Sequence, residues 1–371
     1  MAPTSSRQTK GIEKLIRKAV LDSASYTPVL PTEVLETSCG IHADEIIKLD
    51  GNENPYGCTP KVQQALANYS QYHIYPDPEQ RELRNTLSEY TRISAEHIVV
   101  GSGSDELIDL VLRLFIEPGD KVLNCIPTFG MYSFFAEVCG AKVLTIPRDR
   151  DFSIDPSAIS NAIDKNTKVV FISSPNNPTG NTTSEEDILT LLDTGVVVVI
   201  DEAYLEFGGQ TAIPLVLKHD NLIVLRTFSK WAGLAGLRIG YGIFPLKIAS
   251  YINKIKNPYN VNVAARVAAI ESLKDLDHLK QIVNAIIQER ERLFSTLQGI
   301  SLLHPFPSQA NFILCAVDNG MAREIHSYLK QKGIFLRYFE TPLLENCIRI
   351  TVGKPKQNNV LIQALEEFRS K

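Results

Sequence analysis

The run Arg226-Thr-Phe-Ser-Lys-Trp-Ala-Gly-Leu-Ala-Gly-Leu-Arg238 sets one lysine, Lys230, just beyond an apolar strand-like stretch at 222–225. Hydroxyls flank it at Thr227 and Ser229, glycines follow at 233 and 236, and Arg238 closes the run. A lysine that condenses with an aldehyde has to be held at a fixed point. Hydroxyls and an arginine around it are what an aldehyde cofactor that also carries a phosphate needs. A surface lysine at a strand-to-helix turn would explain Ser-Lys alone, but not the whole segment.

Other polar residues interrupt apolar runs in a similar way. Val196-Val-Val-Val-Ile-Asp-Glu-Ala-Tyr204 ends the most apolar run on a carboxylate, Asp201. Open α/β sheets bind ligands at the carboxyl ends of their strands. A carboxylate buried there is costly unless a cation meets it, and a protonated ring nitrogen is such a cation. A metal held by Asp201 and Glu202 is the alternative, but no Gly-Lys-Ser/Thr phosphate loop accompanies it. Gly101-Ser-Gly-Ser-Asp-Glu106 lies where a strand passes into a helix. Ser104 reads as the N-cap. Backbone N–H groups at such a start bind anions, and glycine lets a phosphate approach. Asp105 and Glu106 would repel it, so their side chains are expected to point away.

Phe129, in Ile126-Pro-Thr-Phe-Gly-Met131, offers a flat ring that could stack on a ligand or pack in the core. Ser173-Ser-Pro-Asn-Asn-Pro-Thr-Gly180 is an extended loop whose amides can donate to a ligand oxygen or close a local turn, and Asn176 suits the turn. Two arginines sit inside apolar strands, Arg337 in Ile334-Phe-Leu-Arg-Tyr338 and Arg349 in Cys347-Ile-Arg-Ile-Thr-Val-Gly353. Burying an arginine unpaired is expensive. Each serves either a salt bridge, with Glu340 or Glu345 as partner, or recognition of an anion.

The elements that must position these residues follow from hydrophobic periodicity. Strand-like runs at 98–100, 121–126, 142–146, 168–173, 196–200, 222–226 and 239–243 alternate with helical patterns such as 105–116 and 184–193. Such alternation builds βα units on a mainly parallel, doubly wound sheet. Several runs are continuously apolar, as strands covered on both faces are. After about residue 258 comes a long amphipathic helix near 264–298, then strands at 312–316, 334–338 and 347–352, with helices around 321–332 and 356–369. The expected division is an N-terminal helix and arm in 1–48, a large ligand-binding domain in 49–258, and a smaller α+β domain in 259–371. A helix at 11–20 and a proline-containing arm at 27–36 precede the large domain.

Composition removes several function classes. The 371 residues carry a formal net charge of −4 without a block of Lys and Arg, so nucleic acid is not an expected partner. The longest apolar run is far too short to span a bilayer. Six scattered cysteines without a Cys-x-x-Cys pair read as reduced thiols in a cytosol-like compartment. Seven histidines without ligand spacing give no expectation of a metal. Residues 1–12 lack the apolar core of a secretory signal and weakly resemble the remnant of a transit peptide, with a disordered bacterial N-terminus as the plainer expectation. The expected compartment is the cytoplasm, or a plastid if that remnant is real.

Jointly, the Lys230 segment, Asp201, the 173–180 loop and Asp50-Gly-Asn-Glu-Asn-Pro-Tyr-Gly57 resemble the fold-type I aminotransferases that use pyridoxal 5′-phosphate (PLP). Asn-Glu-Asn-Pro-Tyr-Gly is similar to the N-terminal signature of the histidinol-phosphate aminotransferases among them, of the plant and cyanobacterial type. The resemblance runs from about Tyr26 to Gly353. It implies PLP as cofactor and Lys230 as the residue that carries it and moves the proton. It implies phosphate contacts at Ser104, Asp105, Thr227, Ser229 and Arg238. The ring would lie on Phe129, where the family commonly has tyrosine, with its nitrogen at Asp201 and its phenolic oxygen near Asn177 and Tyr204. It implies a homodimer in which Tyr56 reaches the neighbour's PLP phosphate.

Substrate contacts would fall to Tyr26, Asn54, Tyr56, Asn177, Arg337 and Arg349. Arg349 matches the family's substrate arginine, and Arg337 matches the extra arginine with which the histidinol-phosphate branch grips a phosphate. The implied reaction converts L-histidinol phosphate and 2-oxoglutarate into imidazole acetol phosphate and L-glutamate, in histidine biosynthesis. An aromatic-amino-acid aminotransferase or a threonine-phosphate decarboxylase would share Lys230, Asp201 and Asn177, so Tyr26, Tyr56 and Arg337 must separate the three. A PLP-binding regulatory module is a different class. It usually comes fused to a DNA-binding segment, for which this chain has no spare length.

Overall fold

Strand residues that are apolar on both faces need cover on both faces, and the central strands have it. In the computed structural model, which describes residues 9–23, 27–341 and 343–369, Val198 and Ile200 pack into one core and Val199 into another. Twelve strands are numbered in chain order: β1 Ile47–Leu49, β2 Ile98–Gly101, β3 Lys121–Ile126, β4 Lys142–Pro147, β5 Thr167–Ser173, β6 Val197–Asp201, β7 Leu222–Thr227, β8 Gly240–Ile243, β9 Leu303–Pro305, β10 Phe312–Val317, β11 Ile334–Tyr338 and β12 Cys347–Thr351. Seven of them form a sheet in the order β2-β8-β7-β6-β5-β3-β4. From β7 to β4 the neighbours are parallel, and β8 is antiparallel to both β2 and β7. The sheet is therefore mainly parallel and doubly wound, the fold-type I architecture expected.

The second sheet has the order β1-β11-β12-β10-β9, with only β1 and β11 parallel. Ile313, Cys315, Leu336, Ile348 and Ile350 on one face pack with Leu293, Leu329, Leu361 and Leu365 from three helices. The alternate residues Arg337 and Arg349 line a cavity between the two sheets.

Several elements differ from expectation. The helix expected at 11–20 is broken into Thr9–Ile12, a 3-10 turn at Glu13–Leu15, and Lys18–Asp22. Ile12, Leu15, Ile16, Val20 and Leu21 are all exposed, so no core holds the pattern together as one helix. The arm at 27–36 is only partly extended, because helix Thr32–Cys39 starts after Pro31 and stops at left-handed Gly40. The long helix near 264–298 is two, Val263–Leu273 and Leu276–Gln298. Asp275 leaves helical geometry between them, and its carboxylate meets Lys61 at 2.7 Å. Helices Pro60–Asn68 and Arg81–Thr91 were not anticipated, although Thr59-Pro60 is a cap followed by a first-turn proline.

The expected boundary between 258 and 259 does not coincide with a change of core. Val261, Ala265, Ala268, Leu279 and Ile286 pack with Val198 and Ile200 of β6. The change comes inside helix Leu276–Gln298, whose Leu293 and Leu297 belong to the small-sheet core. A helix of 23 residues is about 35 Å long, enough to pass from one layer to the other. Strand β1 ties the chain ahead of residue 50 to the small sheet. Among the described residues no helix is long and apolar enough to cross a membrane.

Candidate active site

The carboxyl ends of β5, β6 and β7 and the start of helix Ser104–Phe115 open on a cavity of about 670 Å³. That is room for a cofactor and a small substrate, at the edge where parallel sheets place their ligands.

One end of the cavity suits an anion. Gly103 precedes helix Ser104–Phe115 with φ +78°, and a Cβ there would lie 2.6 Å from Arg238 Nη2. The positive φ favours glycine there, and a side chain would crowd the guanidinium. Gly103 therefore takes the N-cap position expected for Ser104, which becomes the first helical residue and lines the cavity. Thr227 Oγ1 donates to Ser229 Oγ at 2.9 Å, and both residues line the same end. Asp105 does not point away as expected. Its Oδ2 lies 2.8 Å from Arg238 Nη2, in the cavity wall, and that guanidinium offsets its charge. Glu106 does point away, accepting from Ser102 N–H at 2.5 Å and Asn260 Nδ2 at 2.7 Å.

The middle of the cavity holds Asp201 and Lys230. Asp201 ends β6 and is 3 % exposed. Burial raises its carboxyl to about 6, against hydrogen bonds from Tyr132 O–H at 2.7 Å and Ala203 N–H at 3.0 Å. Both donors are neutral, so this carboxylate has room for a cationic partner. Lys230 Nζ donates to Gly51 O at 3.0 Å and stands 5.9 Å from the centre of the Tyr204 ring. Burial, and after it the charge of Arg349, lower the lysine to about 8. Tyr204 Oη accepts from Asn52 Nδ2 at 2.9 Å. Phe129 lines the cavity with its ring edge-on to Tyr132, 5.6 Å between centres.

The small sheet supplies the opposite wall. Arg337 of β11 lies directly across from Arg349 of β12. Arg349 Nη1 donates to Asn177 Oδ1 and Nη2 to Asp50 O, each at 2.5 Å, and the guanidinium lies 5.3 Å from the Phe312 ring centre. The bond to Asn177 Oδ1 leaves that residue's Nδ2 as the donor. Arg337 Nη2 donates to Thr27 O at 3.3 Å, and its guanidinium lies 5.8 Å from the Phe339 ring centre. Glu340, one of the carboxylates considered for these arginines, pairs with Arg323 at 2.9 Å instead.

Not every anticipated residue reaches the cavity. Asn54 is buried behind it, donating Nδ2 to Trp231 O and accepting from Tyr56 N–H, both at 2.9 Å. Tyr56 is outside the cavity wall and 37 % exposed, with Lys354 Nζ 5.3 Å from its ring centre. Tyr26 lies outside the described residues. Asn52, Asp50 and Tyr132 line the cavity without having been anticipated. Asn52 adopts a left-handed φ of 53°, which asparagine tolerates, but the sequence does not separate it from Asn54 in the same motif. Tyr132 had none, since only the fold brings its hydroxyl to Asp201.

The wall fits PLP group by group. Arg238, Ser104, Thr227 and Ser229 suit a phosphate, and Asp201 suits a protonated ring nitrogen. Phe129 suits a ring face, Lys230 an aldehyde.

Residues 44–365 match the family model described as aminotransferase class I and II. The histidinol-phosphate aminotransferase of Dehalococcoides mccartyi (strain CBDB1) is 50% identical over 360 residues, which are 97% of this chain and 99% of that protein. Histidinol-phosphate aminotransferase 1, chloroplastic, of Arabidopsis thaliana is 45% identical over 359 residues, 96% of this chain and 86% of that protein. The crystal structure of histidinol-phosphate aminotransferase from Sinorhizobium meliloti, in complex with pyridoxal-5′-phosphate, superposes with a TM-score of 0.88 at 27% identity, covering 96% of this chain and 97% of that one. The fold, the lysine and aspartate at neighbouring strand ends, and these similarities along nearly the whole length agree: the chain belongs to the class I and II aminotransferase family.

Proposed function

We propose that the chain is a PLP-dependent transaminase that moves the amino group of L-histidinol phosphate to 2-oxoglutarate, giving imidazole acetol phosphate and L-glutamate in histidine biosynthesis. The observation that carries the substrate choice is the pair Arg337 and Arg349, opposed across two strands in the wall that faces Lys230. Like charges so placed repel unless an anion sits with them. The phosphate of histidinol phosphate and a carboxylate of glutamate can each fill that place in turn. Relatives at 50% and 45% identity bear the name of this activity.

PLP, when bound, supplies a protonated ring that draws charge away from the substrate's α-carbon. Asp201 keeps the ring nitrogen protonated, a task suited to a carboxylate that burial leaves short of a cation. Arg238, Ser104, Thr227 and Ser229 hold the phosphate, with Asp105 orienting Arg238. Phe129 covers one ring face, and Tyr204 and Asn177 donate to the phenolic oxygen. Lys230 carries the cofactor at rest. Its Nζ, when not joined to the cofactor, would take the proton from the substrate's Cα. A lysine near 8 has an appreciable neutral fraction for that step at slightly alkaline pH. Asn54 acts one step back, holding the Tyr56 backbone and Trp231.

The same reading makes the large sheet the PLP-binding domain and the small sheet the domain that closes over substrate. It makes the active form a homodimer, with exposed Tyr56 of one copy reaching the PLP phosphate of the other. Tyr26 belongs with the arm over the substrate. The setting is the cytoplasm of a bacterium or the plastid of a plant.

The test is a half-reaction. The protein loaded with PLP should show a visible band that L-histidinol phosphate alone discharges and 2-oxoglutarate restores. Faster discharge by phenylalanine or tyrosine would favour an aromatic aminotransferase. Release of carbon dioxide from O-phosphothreonine would favour the decarboxylase. Full activity in a monomer would refute the shared phosphate site.

A further inference from the structure

Behind the cavity, on the reverse face of the large sheet, lies a buried cluster of charge that the proposed chemistry does not use. Asp201 and Thr227 line the cavity, so their chain neighbours Glu202 and Arg226 are directed to the other face. There Arg226 Nε donates to Glu202 Oε2 at 2.9 Å, with the two residues 5 % and 1 % exposed. Thr211 closes the pair into a ring: Arg226 Nη2 donates to its Oγ1 at 2.8 Å, and that hydroxyl donates to Glu202 Oε2 at 3.0 Å. Ala212 N–H donates to the other carboxylate oxygen at 2.6 Å. The backbone N–H of Glu202 donates to Leu225 O at 2.8 Å, continuing the pairing of β6 with β7 past Asp201.

A second chain of contacts reaches Lys230. Trp231, the next residue, donates Nε1–H to Thr227 O at 3.1 Å and stacks on Tyr90 with 5.9 Å between ring centres. Tyr90 O–H in turn donates to Glu206 at 3.4 Å. Each branch thus ends beside a cavity residue: Glu202 beside Asp201, Arg226 beside Thr227, Trp231 beside Lys230.

A buried ion pair is a weak source of stability, because desolvation cancels most of the attraction and apolar residues of similar size often hold a fold as well. Geometry is what a pair with fixed forks can supply. We propose that Glu202 and Arg226 are positioning residues, whose pair locks the ends of β6 and β7 in depth and so sets the separation of Asp201 from Lys230. The inference rests on the reading that these two residues meet one PLP ring. Misplacement of reacting groups by about 1 Å is enough to cost a hundredfold in rate.

The test uses Arg226→Lys, Glu202→Gln, and the double variant Glu202→Met with Arg226→Met, each loaded with PLP. Three quantities are read: the melting temperature, the pH midpoint of the visible band, and kcat and KM for L-histidinol phosphate. Positioning requires the double variant to melt near the parent temperature yet shift the midpoint by about half a pH unit or more. Its kcat should fall about tenfold or more, with KM changed less than about threefold. A folded double variant with the parent's midpoint and kcat would overturn the proposal. If that variant does not fold, Arg226→Lys decides, since it keeps the charge and loses the fork: a shifted midpoint supports positioning and an unshifted one refutes it. Absence of any visible band in the unsubstituted protein would refute the PLP reading instead, before any variant is made.

Discussion

The two faces of the large sheet treat charge in opposite ways. On the reverse face Glu202 and Arg226 pair with each other, and Thr211 and Ala212 complete their hydrogen bonds within the protein. On the cavity face Asp201 accepts from the neutral donors Tyr132 O–H and Ala203 N–H, and across the cavity Arg337 and Arg349 oppose each other with like charge. Charges settled within the protein are architecture. Charges that line a cavity can also meet a ligand, here one with a cationic ring nitrogen next to Asp201 and an anion beside two arginines. Lys230, lowered toward 8 by burial and by Arg349, stands between these regions.

The largest expected effect comes from the residue between them. Lys230→Ala should retain PLP noncovalently and lose turnover by at least about 10²–10⁴-fold, the usual worth of a positioned base. Borohydride should fix the cofactor to a peptide containing Lys230 in the parent, and label on another lysine would refute the assignment. Next is Asp201→Asn, which keeps shape but presents a neutral amide to the ring nitrogen. It should fold, bind PLP and lose most of its kcat. A near-parental rate would mean that the charge at Asp201 is not a cofactor contact. Third, Arg337→Ala should weaken the histidinol-phosphate half-reaction by about one to two decades, equivalent to about 1.5–3 kcal/mol for a charged contact. The glutamate half-reaction, which can still use Arg349, should suffer less. Equal losses would make Arg337 structural.

These contrasts were unevenly legible in the sequence. The central strands were, because a run such as 196–200 is apolar on both faces and can be little else. The strand-end places of Asp201 and Lys230 followed from those runs. The opposition of Arg337 and Arg349 did not, because it depends on the register of two strands joined by a loop. The Glu202–Arg226 pair was equally hidden, since each looked like a routine neighbour of a motif residue. Asn52 and Asn54 share one motif, and nothing local says which amide faces the cavity. Only the left-handed turn at Asn52, which sends it to Tyr204 and Thr351, decides. The break at 274–275 was hidden because no glycine or proline interrupts the sequence between the two helices.

A smaller effect should appear in stability against pH. Without PLP, Lys230 has a folded pKa of about 8 and an ordinary unfolded value of 10.5. Between those values the unfolded chain holds more protons, so the lysine's penalty is full below pH 8 and is relieved as pH rises towards 10.5. Compared with Lys230→Met in urea titrations, the parent should lag most below pH 8 and close the gap by pH 10. A gap independent of pH would mean that the amine is solvated, and that the region between Asp201 and the two arginines is wetter than its burial implies.

The smallest effect tests the like-charge pair itself. Directly opposed like charges on a sheet cost up to about 1 kcal/mol. Arg337→Met keeps an apolar stem against Phe339 while removing the charge opposite Arg349 and the bond to Thr27 O. In phosphate-free buffer and without PLP, the variant should therefore melt slightly above the parent. Inorganic phosphate should then reverse the order, because an anion held by both arginines stabilises only the chain that has both, in proportion to its occupancy. Two results would separate the possibilities. If the variant melts lower even without phosphate, the hydrogen bond to Thr27 outweighs the repulsion and the pair is settled within the protein after all. If the variant melts higher but phosphate helps both chains equally, the repulsion is real and the anion binds elsewhere, with the Arg238 end of the cavity as the site to examine next.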